Sequence, residues 1–437
     1  MSRRYDVPGG EVSRRTLLGA AALGCAGLAS GCGSARAGDA LRYWNLFGGG
    51  DGETMKAMLD VYRATHPGVE LEDVTLEWGD RYYTKLAMAG AAERAPDVAV
   101  LHLGRLPAFA PGGLIDEMRP DLLRQVGIGP EHFPPGLWRR ATHDGRLFAI
   151  PLDTHPFVQY YNTDVCRAAG LLDEQGRLRT LVGQDGVREA LRAVRRVTGS
   201  TGLLLETTGD GVAPWRLFWS LYRQAGGELF TPDGARSALD ERKTADVLAF
   251  VQGLHEEELA TGEMDADGAI ALFSSGRAGF FWYGEWEVQT FLTAQVNFGM
   301  TRFPGIFGPP LAEADSHAFV LPHRDRTEED HLVVYDFIAA LLRDSTRWAE
   351  GGHIPAYLPV TRSEAYARMQ PQSEYRSVID DVQLDPEVWF AGSGSRLWTE
   401  LNAVLGPAMD GRVRVDRAVP QIRDVVEDLL ATPNPTA

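Results

Sequence analysis

The sequence predicts an α/β protein large enough to form two lobes, and three observations carry that prediction. Between Leu41 and Leu101, short apolar segments alternate with segments of helical period, the order that builds a mostly parallel sheet. Within that stretch, Asp97-Val98-Ala99-Val100-Leu101 is almost continuously apolar, as expected of a strand covered on both faces. The chain has 437 residues, of which 44% are hydrophobic. Even without its N-terminal leader, roughly 400 residues exceed what one simple core holds.

The leader comes first. Ser13-Arg14-Arg15-Thr16-Leu17-Leu18 opens an apolar run that ends at Leu28-Ala29-Ser30-Gly31-Cys32. A basic patch, an apolar core and small residues before a cleavage point predict an export signal over residues 1–31. The paired arginines resemble a twin-arginine signal. The ending resembles a bacterial lipoprotein box, with Cys32 as the lipidated residue. The run is shorter than the ~20 residues of a comfortable membrane span, which fits a segment that is removed. The expected location is the outer face of the cell membrane, held by lipid on Cys32. Residues 32–40 form a small, polar tether.

Cys25 would leave with the leader and Cys32 would carry lipid, so Cys166 remains alone and no intramolecular disulfide is expected. Its surroundings, Asp164-Val165-Cys166-Arg167-Ala168-Ala169, read as a buried helix residue. The formal net charge is −17. In the leader, Arg3, Arg4, Arg14 and Arg15 outnumber Asp6 and Glu11, so the body is more acidic still. Such a body excludes nucleic acid and anionic lipid surfaces as natural partners.

The fold proper begins with Leu41 to Trp44 as a strand, followed by the loop Gly48-Gly49-Gly50-Asp51-Gly52. Glu53 to Thr65 is an amphipathic helix with Met55, Met58, Leu59 and Tyr62 on one face, stopped at His66-Pro67-Gly68. Val69 to Leu76 alternates as a second strand, Tyr82 to Ala92 is helical, and Asp97 to Leu101 is the buried strand. Sheets of this kind bind ligands beyond the carboxyl ends of their strands, which points to Trp44–Asp51 and to His102–Arg105. Further on, Asp144 to Asp153 reads as turn, strand and stop, and Phe157 to Asn162 as a strand. Trp215 to Ala225 is an aromatic-rich helix closed by Gly226-Gly227. Ala269 to Ser275 is a helix and Gly279 to Trp282 a strand leading into Tyr283-Gly284-Glu285-Trp286. Ala318 to Leu321 is a strand, Val333 to Leu342 a helix, and the remainder to Leu430 mainly helix and loop.

The order of these segments resembles the extracellular solute-binding proteins of ATP-driven (ABC) importers, in particular the carbohydrate-binding group that includes maltodextrin-binding protein. The residues that carry the resemblance are Pro96-Asp97-Val98 with Gly112-Gly113-Leu114-Ile115; Gly145 to Pro151 with Tyr161-Asn162; Leu272-Phe273-Ser274-Ser275-Gly276-Arg277-Ala278-Gly279 before Gly284-Glu285-Trp286; and Gly352-His353-Ile354-Pro355-Ala356. The resemblance implies a two-lobed periplasmic-binding-protein-like fold with a hinge and an interlobe cleft. Lobe one would comprise 41–153 and 315–344, and lobe two 155–312 and 345–432. A monomer would capture a sugar, with the many loop aromatics leaning towards a di- or oligosaccharide, and deliver it to membrane permease subunits. No cofactor is implied.

A sugar needs multidentate polar partners for its hydroxyls and flat apolar surfaces for its C–H faces. Trp286 matches the Trp of the family motif and is the expected stacking platform, with a core Trp between strand and helix as the alternative. Glu285 takes hydroxyls or serves as an acid at a helix N-terminus. Trp282 and Tyr283 alternate on their strand, so only one faces the cleft. Trp215 matches a family position that often carries an aromatic contact, while Trp219, one turn on, reads as core. Trp44, Asn45 and Phe47 end the first strand, and Asp51 follows in the Gly-rich loop, where an Asp also serves the turn. His102 and Arg105 match a family ligand loop, Asp153 and His155 sit at the first lobe crossing, His317 near the second, and His353 and Tyr357 in a stretch that borders the cleft.

Several histidines near one cleft raise a metal, but no pair has the i, i+4 or other short spacing of a zinc site, and no metal is expected. A secreted hydrolase acting on sugars would need two carboxylates roughly 5–10 Å apart, for which Asp153 and Glu285 are the pair to test, and no G-x-S-x-G motif is present. A glycerol-phosphate ester is the other ligand class, with Arg105 facing the phosphate.

Overall fold

The computed structural model describes residues 40–435 except 93, 210 and 211. The leader, Cys25, the lipidation candidate Cys32 and nearly all of the tether lie outside the described residues. Two sheets organise the rest.

The elements that matter, in chain order, are β1 (Leu41–Asn45), α1 (Gly49–Thr65), β2 (Leu71–Thr75), α2 (Asp80–Ala91), β3 (Val98–His102), β4 (Ile115–Asp116), β5 (Ala149–Pro151), β6 (Asp153–Asn162), β7 (Leu203–Leu204), α3 (Val212–Gln224), α4 (Glu241–Glu256), β8 (Phe280–Gly284), β9 (Phe298–Arg302), β10 (Ala314–Asp315), β11 (His317–Pro322), α5 (Glu328–Arg343), α6 (Ser345–Glu350), β12 (Ile354–Pro355), α7 (Arg396–Met409) and α8 (Val415–Ala431). The first sheet runs β2-β1-β3-β11-β4, with β5 also on β11. Strands β1, β2 and β3 are parallel, and β11 returns antiparallel to β3. The second sheet runs β9-β6-β8-β7, with β10 and β12 also on β6.

The first sheet follows the periodicities. Every residue of β3 is buried, as its continuous apolar run requires. Helix α1 buries Met55, Met58, Leu59 and Tyr62, the i, i+3, i+4, i+7 stripe of a surface helix. It starts four residues before the expected Glu53, because the Gly-rich segment forms its first turn rather than a loop. Asp51 there complements the helix dipole. Gly52 is required, since a Cβ at that position would stand 2.8 Å from the Phe47 carbonyl oxygen. Strand β2 is an exposed sheet edge, which is why its alternation is only weakly apolar.

The expected stop at Asp153 is not a stop. Strand β6 begins there and runs ten residues, all buried. It is the spine of the second sheet and pairs with four other strands. Chain crossings between the sheets gather at its start: β10 aligns Asp315 with His155, and β12 aligns Pro355 with Asp153. Helices α3, α4, α7 and α8 pack together beyond the second sheet, whereas α5 and α6 lie against α1 of the first.

The two halves touch directly. The carboxyl end of β3 approaches the loop before α7 so closely that a Cβ on Gly104 would lie 2.7 Å from the Gly392 Cα. The Gly104 amide donates to Asp315 Oδ1 at 3.0 Å. Arg140, buried at the end of the short helix Pro135–Arg140, meets Glu387 at 3.3 Å. Among the described residues, no helix is long and apolar enough to cross a membrane.

Candidate functional site

The strand ends that meet at Asp153 build a buried polar cluster. Asp153 has no solvent exposure and is surrounded by donors. Its Oδ1 accepts from the His317 amide at 2.8 Å and from His155 Nδ1 at 3.2 Å. Its Oδ2 accepts from His317 Nδ1 and from Trp348 Nε1, each at 2.7 Å. Burial pushes this carboxyl up, but the charge of His317 and the bonds from His155 and His317 outweigh it and hold Asp153 well below the usual carboxylate range. An ionised carboxylate can only accept, so both imidazoles turn Nδ1–H towards it.

His353 lies flat on Trp348, with ring centres 4.5 Å apart. Its Nε2 stands 3.0 Å from Asp51 Oδ1 of α1, and its Nδ1 2.9 Å from Glu285 Oε1 and 3.4 Å from Asp153 Oδ2. The Glu285 contact is an ion pair outside hydrogen-bond alignment. Burial opposes a charge on His353, yet Asp51 and Glu285 overcome it and hold its pKa well above the ordinary value. Burial dominates in the opposite direction at His102 and His155, whose pKa values fall well below the ordinary value. Burial likewise raises Glu285.

Above this cluster a cavity of about 220 Å³ opens between the halves. Phe47, Asp51, Trp78, His102 and His317 line it from the first half, Tyr283, Trp286, His155, Arg216 and Trp398 from the second, with His353 between. The Arg216 guanidinium lies between two indoles, 5.0 Å from the Trp286 ring centre and 5.3 Å from that of Trp398. It pairs with the fully buried Glu313 at 2.7 Å and donates to the His155 carbonyl. The guanidinium thus braces one Trp against the other. A larger groove of about 750 Å³, between the Pro135–Arg140 helix and residues 379–388, carries none of the expected site residues on its walls.

The structure brings Phe47, His102, His155, Trp286 and His353 to the cavity wall, with Asp51, Tyr283 and His317. Asp153 and Glu285 sit beneath it, orienting histidines rather than facing the open space. The remaining candidates lie elsewhere. Trp44 is on the far face of β1, where Lys85 sits 5.4 Å from its ring centre. Asn45 turns inward, accepting from the Phe47 amide and Thr75 Oγ1. Arg105 stacks on Tyr83, 4.6 Å from the ring centre, which leaves no phosphate-facing arginine there. Trp215 is fully buried, donates to Asp385 at 2.8 Å and stacks on Trp219. Trp282 is equally buried and donates to Gln159, so Tyr283 is the strand residue that faces the cleft. Tyr357 packs on His132 and Phe133.

Sequence reasoning missed Trp78, Arg216, Ser393 and Trp398. Trp78 had a signal: it follows β2, where the rule about carboxyl ends of strands already pointed. Arg216 had one too, as a lone charge inside an apolar helix. Trp398 had none. The expectation against a metal also loses its footing. It rested on short spacing, but three separate segments bring ligand-type atoms of Asp153, His155, His317 and His353 within 4.8 Å of one another.

Comparison with known proteins agrees with this architecture. Residues 48–347 match the model of the bacterial extracellular solute-binding protein family. Maltodextrin-binding protein MdxE of Bacillus subtilis (strain 168) is 23% identical over 228 residues, covering 50% of this chain and 50% of the relative, so the match spans about half of that protein's length. The GacH receptor of Streptomyces glaucescens GLA.O, solved unliganded and with acarbose, superposes with a TM-score of 0.76 at 16% identity, over 90% of this chain and 98% of that one. The sugar-binding protein MalE from Xanthomonas citri gives 0.75 at 19% identity over 90% and 98%. At such identities the structures attest the two-lobed fold alone, and the family match attests membership: this chain belongs to the bacterial extracellular solute-binding proteins.

Proposed function

We propose that this chain captures a carbohydrate in the cavity between its lobes and hands it to the permease of an ABC importer outside the cytoplasm. The observation that carries this reading is the cavity wall itself. Flat aromatic faces from both lobes (Trp78, Tyr283, Trp286 and Trp398) stand beside convergent imidazoles, Asp51 and Arg216, which are the two kinds of contact a sugar requires. The relatives named above include proteins described as binding maltodextrin, acarbose and sugars, which supports the ligand class. Lobe one is 41–153 with 315–344, and lobe two 155–312 with 345–432. Because both lobes supply wall residues, ligand stabilises the closed arrangement. The leader supports twin-arginine export and a lipid anchor on Cys32, and a monomer suffices for the task.

The hydrolase alternative loses its pair, since Asp153 and Glu285 both face His353 and neither lines the cavity. A thermal-shift screen over mono-, di- and oligosaccharides tests the capture reading: a ligand that binds only the native state raises Tm. At least one sugar should do so and come back chemically intact after overnight incubation. No shift across the panel, or release of shorter sugars, would contradict the proposal.

A further inference from the structure

Three imidazoles on the cavity wall share a feature that sugar binding does not demand. His102, His155 and His317 have ring centres 4.3, 4.5 and 5.1 Å apart. Each has Nδ1 occupied: those of His155 and His317 face Asp153, and that of His102 lies 2.6 Å from Tyr83 Oη. Nε2 is therefore the remaining nitrogen on every ring. That of His155 is buried without a partner. A histidine whose far nitrogen is held by a carboxylate or other oxygen is the usual arrangement behind a metal ligand, because it fixes the tautomer and the ring orientation.

The spacing agrees. With Zn–N near 2.0–2.1 Å, imidazole centres lie roughly 3.2 Å from the ion, and a tetrahedral angle separates them by about 5 Å. The charge balance agrees too. Asp51, Asp153, Glu285 and Glu313 surround the site against Arg216 and His353, and all except Asp51 are fully or almost fully buried. Acidic groups thus outnumber basic ones around the site, which suits a cation.

We propose that His102, His155 and His317 bind one divalent transition-metal ion of the zinc class through Nε2, with its open coordination position facing the cavity. Asp153 and Tyr83 position the rings and do not coordinate. The alternative of seating the ion on Asp153 would displace the aligned bonds from the His317 amide and Trp348 Nε1. A hydroxyl-bearing ligand or water completes the shell from the side of Trp78 and Trp286. The site stands whether or not the cavity also takes a sugar.

The test uses tag-free, chelator-stripped protein titrated with Zn2+ and Co2+ in the absence of sugar. The expected result is one tight equivalent of Zn2+, an intense tetrahedral Co2+ absorption band, and at least about tenfold weaker binding in His155→Ala and in His317→Ala. His132→Ala, at a distance from the cavity, serves as the control for surface histidines and should bind as the parent does. Because the parent protein is itself an arm of the test, poor folding of a variant does not blunt it. Absence of a stoichiometric ion and Co2+ band in the parent protein overturns the proposal. So does binding that survives loss of both His155 and His317. Binding lost in His353→Gln but kept in His155→Ala would put the ion on the Asp153 side and overturn the ligand set. Each outcome is read without sugar, so it is separate from the fate of the carbohydrate reading.

Discussion

The polar floor of the cavity and its aromatic wall are built on different terms. The floor (Asp153, His155, His317 and His353) comes from strand starts that cross between the lobes, and its groups are buried and mutually bonded. The wall comes from separate places: Trp78 from the loop after β2, Trp286 from the turn after β8, Trp398 from α7. Trp286 and Trp398 are tied together through Arg216, and Tyr283 meets Trp286 edge-on at 5.4 Å. On the proposed closure of the lobes, floor residues would sit near the pivot and keep their geometry. Trp78 of one lobe would then approach Trp286 and Trp398 of the other, so the proposed recognition divides between a fixed base and a movable clamp. Stability should depend chiefly on the floor and affinity chiefly on the wall.

The sharpest way to break that division is Asp153→Ala. It removes an acceptor used by two imidazoles, an indole and a backbone amide, all buried, and should cost about 3–5 kcal/mol. Chemical denaturation reads this directly, and a loss under about 1 kcal/mol would mean the floor is not the structural base argued here.

His353 gives the next largest effect, and one that depends on pH. Its folded pKa lies well above that of the unfolded chain. Its charged form therefore contributes stability that is fully present below about pH 6.5, the unfolded value, and lost as pH rises through the higher folded value. Thermal melts of parent and His353→Gln should differ most below about pH 6.5 and converge in alkaline buffer. A gap that widens with pH would show that His353 is not held as an imidazolium.

How much of this was legible beforehand follows from the same division. Periodicity revealed β3, α1 and the buried face of α1, because local burial repeats along one element. It placed Trp286, Phe47, His102, His155 and His353 only through strand ends and family order. It misplaced Trp215 and Trp282, because an indole buried against Asp385 or Gln159 has the same local sequence as one that faces a cleft. It took Asp153 for the end of a strand because an ionised residue normally marks a boundary. Of the donors that make its burial tolerable only His155 is nearby in sequence, while His317 and Trp348 lie far along the chain. Arg216 was hidden for the same reason, its partner Glu313 being far along the chain.

The smallest expected change tests the central claim most directly. Calorimetric titration with the sugar found in the thermal screen should show Trp286→Ala binding at least tenfold more weakly than the parent, about 1.4 kcal/mol or more. Trp44→Ala, on the outer face of the first sheet, should leave affinity unchanged. Equal affinity for the parent protein and Trp286→Ala would contradict the account, for it would mean that the wall between the lobes is not where the ligand sits.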